Sequence, residues 1–219
     1  IAHLIGLGFT GFRCDAAYQL PAEFWRRLIE PVRKAHPEVV FVAETLGCSP
    51  EQTRETADAG FDAIFNSAKW WDFEQDWLLE QYEATRRIAP SIGFPESHDT
   101  ERLAAETQGN LDALRQRYLF TALFASGVMM PIGYEFGFQK RLDVVHTRPE
   151  DWEEPRGDLS DLIAQVNAIK DRVPLFSSEG RIERLHHPDP AILVLRKHAE
   201  QGSGQALLVI NKDCWNRQC

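Results

Sequence analysis

The stretch VVFVAETL, residues 39–46, decides the fold class. A nearly unbroken apolar run of this length, rich in β-branched valine, describes a strand covered on both faces, as in a parallel sheet. On its N-terminal side, PAEFWRRLIEPVRKAHP (21–37) reads as a helix. Pro21 suits its first turn, and Phe24, Leu28 and Val32 recur at four-residue intervals as its core stripe. Ahead of that helix lies a second strand, TGFRCDAA (10–17), and the opening IAHLIGLG resembles the end of a helix entered midway. Past the central run, Ser49 caps a polar helix that has Pro50 in its first turn and Gly60 at its end.

The alternation continues outward. FDAIFNSA (61–68) is a strand, WWDFEQDWLLEQYEATRRIA (70–89) a loop and helix, and SIGFPESHD (91–99) a strand and loop. LDALRQRYLFTALFAS (111–126) is a helix with Leu114, Tyr118 and Ala122 on its core stripe, and VMMPIGYEFG (128–137) a further strand and loop. LSDLIAQVNAIKDRV (159–173) is helical, with Leu162, Val166 and Ile169 inward. Such repeated βα units imply right-handed crossovers and a parallel sheet, either open and doubly wound or closed into a barrel. After about residue 176 the helices stop. RIERLHHP (181–188), AILVLRKH (191–198) and QALLVINK (205–212), joined by PDP and EQGSG turns, read as antiparallel strands.

Composition narrows the function classes. Acidic residues outnumber basic ones 33 to 24, for a net charge of −9, with no basic block to neutralise phosphates, so a nucleic-acid partner is not expected. A chain with 43% hydrophobic and 26% charged residues folds rather than remaining disordered. Cys14, Cys48, Cys214 and Cys219 are too scattered for a disulfide framework or a metal knuckle; they read as reduced thiols and point to the cytoplasm. The uncharged run from Tyr118 to Tyr134 is interrupted by Gly127, Pro131 and Gly133, which favours a buried helix and strand over a membrane span. Ile1 in place of Met, and a last strand-like run without a tail, suggest a segment of a longer chain.

Three carboxylates stand where apolar strands end: Asp15, Glu44 and Asp99. Ligands in parallel α/β folds bind at that end of the sheet. Asp15 and Glu44 are 29 residues apart, about one βα unit, and Glu44 and Asp99 are 55 apart, about two. Taken singly, each could be a helix cap or an ion-pair partner; together they fit one site fed by three strands. Arg13 shares a strand face with Asp15, since residues i and i+2 point the same way, and a guanidinium there holds the carboxylate ionised, whether as a catalytic or a structural pair. His98 immediately precedes Asp99 and could donate to a substrate hydroxyl. Trp70, Trp71, Phe73 and Trp77 follow a strand; they either pack the outside of the sheet or, for Trp70 and Trp71 above all, offer aromatic faces to a sugar ring.

In order and spacing, GFRCDAAYQLP (11–21), FVAETLG (41–47) and FPESHDT (94–100) resemble three short sequence regions of the α-amylase superfamily, glycoside hydrolase family 13, and PIGYEFG (131–137) resembles its last barrel strand. The resemblance implies part of a (β/α)8 barrel, roughly strands four to eight, over residues 1–176, and the beginning of a C-terminal β domain over 177–219. It implies a retaining enzyme acting on an α-glucan or maltooligosaccharide, with Asp15 as nucleophile, Glu44 as general acid/base and Asp99 as the third acid. Arg13 and His98 match positioning residues. Two positions depart from the family pattern. Ser97 stands where Asn is frequent, and Ala17 and Tyr18 replace a Lys-His pair that contacts sugar and metal in amylases. No cofactor or metal is expected, and the calcium site known in amylases has no support in this stretch.

Retaining glycosidic cleavage needs an ionised nucleophile and a second carboxyl about 5–5.5 Å away that is protonated at the outset. Neighbouring strands lie about 4.8 Å apart, and the apolar approach to Glu44 predicts surroundings that favour a neutral carboxyl. Two rivals stand beside this reading. Barrel carboxylates can hold Mg²⁺ for proton abstraction in the enolase manner, against which Arg13 competes, and some amylase-like proteins bind sugar without turnover, typically having lost one of the three acids. A half-barrel with open parallel edges is further expected to be inactive and poorly soluble by itself.

Overall fold

In the computed structural model, which describes residues 1–216, the central apolar run is a strand paired on both sides. The elements in order are α1 (Ala2–Gly6), β1 (Gly11–Cys14), α2 (Ala22–Ala35), β2 (Val40–Ala43), α3 (Pro50–Ala57), β3 (Ala63–Phe65), α4 (Trp77–Thr85) and β4 (Ser91–Gly93). They continue with α5 (Leu103–Glu106), α6 (Leu111–Phe124), β5 (Gly127–Val128), α7 (Ser160–Arg172), β6 (Ile182–Leu185), β7 (Ile192–His198) and β8 (Gln205–Asn211). Strands β1 to β5 lie in sequence order in one sheet, and β1–β2, β2–β3 and β3–β4 pair in parallel. Strands β6–β8 form a separate antiparallel sheet. Sequential parallel order with a helix in each crossover is the arrangement the alternating pattern predicts.

The chain divides into two compact units. One comprises Ile1–Ser67 with Trp77–Ile92; the other comprises Ala68–Asp76 with the chain from Gly93 onward. The boundary expected at 176/177 lies inside the second unit, where a short helical turn at Pro174–Ser177 leads to β6.

In the first unit, Phe41, Ala43 and Ile64 of the sheet pack on Trp25 and Ile29 of α2, with Ala57, Ala59 and Phe61 closing the cluster. Phe12 stacks on Phe41 with ring centroids 5.6 Å apart. The β1–β2 register sets Arg13 beside Val42 on the opposite face, away from α2. The core stripe of α2 differs from the sequence expectation: Phe24 is exposed, Leu28 and Val32 are only half-buried, and Trp25 and Ile29 face the core. The helix has two adjacent apolar stripes, and a hydrogen bond draws the Trp25 indole inward: its N–H donates to Ala17 O at 2.8 Å. At the start of α3, Ser49 accepts from the Gln52 N–H and the Gln52 side chain accepts from the Ser49 N–H, a reciprocal cap that agrees with the predicted helix start.

In the second unit, Leu103, Leu114, Tyr118, Ala122, Tyr134, Leu159 and Val166 form one core. Gly93 lets α6 come close to the end of β4, because a Cβ there would lie 2.8 Å from Thr121 O. Among the described residues no helix is long and apolar enough to cross a membrane; the uncharged run is α6 followed by β5. Cys14, Cys48 and Cys214 are free thiols, and Cys219 lies outside the described residues.

Two buried lysines cap the C-terminal end of α6. Lys170 Nζ donates to Ala122 O, Ala125 O and Phe176 O, and Lys197 Nζ donates to Phe124 O at 2.8 Å. Burial lowers Lys170 to about 8, opposed by Glu179 and Asp171. It lowers Lys197 to about 7, with Glu179 opposing and Lys170 adding to the fall. An unfolded lysine titrates near 10.4, so between about pH 7 and 10 the unfolded chain binds more protons and these lysines make stability rise with pH. The unfolding free energy of wild type minus that of Lys197→Met should therefore grow from pH 6.5 to 9 in urea titrations; a difference flat across that range contradicts the assignment.

Candidate active site

Asp15 and Glu44 follow the C-terminal ends of β1 and β2. Cys14 pairs with Ala43, so Asp15 and Glu44 are the next residues on two adjacent strands in register. Glu44 N–H donates to Cys14 O at 2.9 Å, and Ala17 N–H donates to Glu44 O at 3.0 Å, which extends the ladder past the strand ends. Alternation puts Arg13 and Asp15 on one face of β1, and Val42 and Glu44 on the matching face of β2, opposite the α2 side. Arg13 Nη1 lies 2.6 Å from Asp15 Oδ1, as the i, i+2 argument predicts.

The two carboxyls sit in contrasting surroundings. The Asp15 side chain is 80% exposed, whereas Glu44 is 7% exposed. Glu44 Oε2 accepts from Ala16 N–H at 2.8 Å, and Oε1 accepts from Leu46 N–H. The purely apolar setting expected from VVFVA is therefore corrected: the carboxyl leaves the valines at the strand end and meets two backbone donors. Ala16 supplies its donor from a left-handed conformation, φ 41°, which costs a non-glycine residue about 1–2 kcal/mol. Trp25 steadies this turn through its bond to Ala17 O, and Thr45 Oγ1 ties the end of β2 to Phe65 O at 2.6 Å. Ala16, Ala17 and Trp25 are not legible as site supports, because nothing in their local pattern shows a bond made 28 residues away.

The loop after β4, in the second unit, carries the remaining polar candidates. His98 Nε2 lies 3.1 Å from Asp99 Oδ2, and the Asp99 side chain is 72% exposed. Ser97, at the position where Asn is frequent, is buried and shapes the turn: Asp99 N–H donates to its hydroxyl at 3.3 Å, and its own N–H donates to Thr100 Oγ1 at 3.0 Å. Arg141 Nη2 donates to Asp99 O at 3.0 Å, a contact between residues 42 apart that no local pattern announces.

The paired tryptophans separate. Trp70 is 48% exposed, with an edge contact to Phe94, and offers an aromatic face to solvent. Trp71 is 1% exposed and is corrected as a sugar contact. It packs against Phe73, Phe120 and Phe124, and its indole N–H donates to Gln75 O at 2.6 Å. A two-sided apolar environment claims the more enclosed of two adjacent indoles. No group of three or more His, Cys, Asp or Glu side chains is gathered to hold a metal among the described residues.

No family model matches the chain. It is 30% identical, over 96% of its length, to the alpha-1,4-glucan:maltose-1-phosphate maltosyltransferase of Burkholderia pseudomallei, of which it covers 20%. Among solved structures, an Anoxybacillus alpha-amylase superposes with a TM-score of 0.72 over 96% of this chain and 49% of its own, at 17% identity. The chain therefore has the fold of the α-amylases. Cyclic alpha-maltosyl-(1→6)-maltose hydrolase from Arthrobacter globiformis superposes with a TM-score of 0.71 at 21% identity, over 96% of this chain and 50% of that one. The parallel sheet is thus part of the (β/α)8 barrel of that fold, followed by β-domain strands. The chain spans about a fifth to a third of the length of the curated relatives it matches and about half that of the structures.

Proposed function

We propose that the full-length protein is a retaining glycosidase or transglycosylase acting on α-1,4-linked glucose units through a covalent glycosyl-enzyme intermediate. The observation that carries this reading is the pair of carboxyls following β1 and β2 in register, one exposed beside Arg13 and the other buried at the end of its strand. Adjacent strands lie about 4.8 Å apart, close to the roughly 5–5.5 Å carboxyl separation of retaining enzymes, which supports that stereochemistry. Asp15 attacks the anomeric carbon. Glu44 gives its proton to the leaving oxygen and then takes one from the acceptor. Asp99, on the loop after β4, binds substrate hydroxyls with His98 beside it. Exposed Trp70 offers a stacking face for a glucose ring.

The intermediate is common to hydrolysis and transfer; only the acceptor differs. The maltosyltransferase name of the Burkholderia relative favours transfer, with a maltosyl group passing from maltose 1-phosphate to an α-1,4-glucan. The full-length protein, incubated with maltose 1-phosphate and maltooligosaccharide, should lengthen the glucan with release of phosphate. NMR of the first-formed linkage or reducing end should show the α configuration. A β product contradicts the assignment of Asp15 as nucleophile.

A further inference from the structure

The loop that carries His98 and Asp99 begins at Phe94-Pro95-Glu96, and the mechanism leaves Glu96 without a task. The Glu96 side chain is buried, 1% exposed, and so is that of Arg102, which stands at the far end of the loop where α5 begins. Arg102 Nε lies 2.8 Å from Glu96 Oε1. The rest of the Arg102 fork, Nη1 and Nη2, donates to Ile132 O, each at 3.1 Å, in the PIGYEFG segment after β5. Glu96 Oε2 accepts from Leu103 N–H at 2.6 Å. The loop is therefore closed on itself from inside, glutamate at its start to arginine at its end, and the same arginine pins it to the next strand's exit. Beyond the closure, short turn bonds and Arg141 hold residues 97–100.

We infer that Glu96 and Arg102 form a buried positioning pair that sets the place of Asp99 on the loop after β4. The inference rests on the proposed role of Asp99 and adds two residues that never touch the sugar. A buried ion pair is a poor way to add stability, since desolvation offsets much of the attraction, and apolar residues of similar volume could fill the same space. What it supplies is geometry: the guanidinium fork is fixed on Ile132 O, the Glu96 carboxylate is fixed on Leu103 N–H, and the charge contact between Nε and Oε1 holds the two ends of the loop together. Small displacements of a substrate-gripping group are enough to lower turnover sharply.

The pair also carries a readable signature. Burial raises Glu96 to about 7, with Arg102, the Leu103 N–H and Lys69 opposing and Glu106 adding to the rise. Lys69 is itself paired to Glu106 at 3.0 Å, and Tyr134, buried nearby, feels the Glu96 charge. Protonation near neutrality converts the ion pair into a neutral acid facing a guanidinium and loosens the closure, so turnover should fall on the acid side of about pH 7.

The experiment uses the full-length protein and three variants: Glu96→Gln, Arg102→Lys and, as the reference for the site itself, Asp99→Asn. Turnover and KM on maltooligosaccharide, the pH profile of kcat from 5.5 to 8.5, and the thermal midpoint are measured for each. Glu96→Gln should lower kcat about 10- to 100-fold below the wild-type plateau and remove the acid limb near pH 7. Arg102→Lys keeps the charge and loses the fork; it should lower kcat and move the acid limb to higher pH, and it serves alone if Glu96→Gln does not fold. Loss of thermal stability with wild-type kcat and an unchanged acid limb in the folded variant overturns the inference, because a merely structural pair would give that result. Wild-type activity in Asp99→Asn overturns instead the reading of the site on which the inference rests.

Discussion

Replacing Glu44 by Gln in the full-length protein lowers kcat on unactivated α-glucan by about 10³- to 10⁴-fold while the fold stays intact, as expected for loss of a general acid/base. In barrier height this is about 4–5.5 kcal/mol. The replacement keeps the side chain's length and one carbonyl acceptor, so either the Ala16 or the Leu46 N–H retains a partner, while the new amide nitrogen cannot accept from the other. With a substrate whose leaving group needs no proton, the first step survives and only the second, which needs the base, is slow. Azide, which attacks the intermediate without a base, should then restore turnover and yield an α-glycosyl azide. Asp15→Asn should be slower by several orders of magnitude on every substrate and should not respond to azide in this way, since no intermediate forms. Near-normal turnover of Glu44→Gln on unactivated glucan would make Glu44 a structural acid.

The second large effect is on stability. Trp71→Ala removes a fully enclosed indole from a cluster with Phe73, Phe120 and Phe124, and takes away the indole donor to Gln75 O. The expected cost is about 3–5 kcal/mol, the range for large aromatic-to-alanine changes in a core that collapses only partly. Arg117 sits over the Phe73 ring at 4.5 Å and donates to Ala68 O and Trp71 O, so the backbone of the same segment is tied to α6 and collapse is hindered. Trp70→Ala, one residue away, loses an edge contact with Phe94 worth about 0.5–1.5 kcal/mol and should act mainly on KM, through the lost stacking face. Chemical denaturation of both variants beside their kinetics distinguishes the two. Equal stability losses, or a kinetic effect confined to Trp71→Ala, contradict the placement of the two rings.

The features legible in the sequence are those written into short-range pattern. The valine run of β2 declares a covered parallel strand, and strand alternation alone is enough to set Arg13 beside Asp15 on the face away from Phe12. Carboxylates at strand ends are legible because charge is out of place after an apolar run. Other features depend on contacts between distant residues. The choice between the Phe24 and Trp25 stripes of α2 turns on a bond to Ala17 O, and the choice between Trp70 and Trp71 turns on rings contributed by α6. The backbone donors around Glu44 arise from the turn after β1, whose left-handed Ala16 carries no glycine or asparagine to announce it. Glu96 and Arg102 look like loop residues flanking SHDT; only the folded loop shows their side chains closing on each other and on Ile132 O.

The proposed mechanism requires Asp15 to form a covalent bond to the sugar. The most direct measurement is intact-mass and peptide mass spectrometry of the full-length Glu44→Gln variant after incubation with an α-glucosyl or α-maltosyl fluoride, whose fluoride leaves without help from an acid. With the deglycosylation base removed, the intermediate should accumulate, adding the mass of one glycosyl residue to the protein, and the modified peptide should carry it on Asp15. Fluoride release without any covalent adduct, or an adduct on a residue other than Asp15, would contradict the assignment of the nucleophile and with it the retaining mechanism proposed for this site.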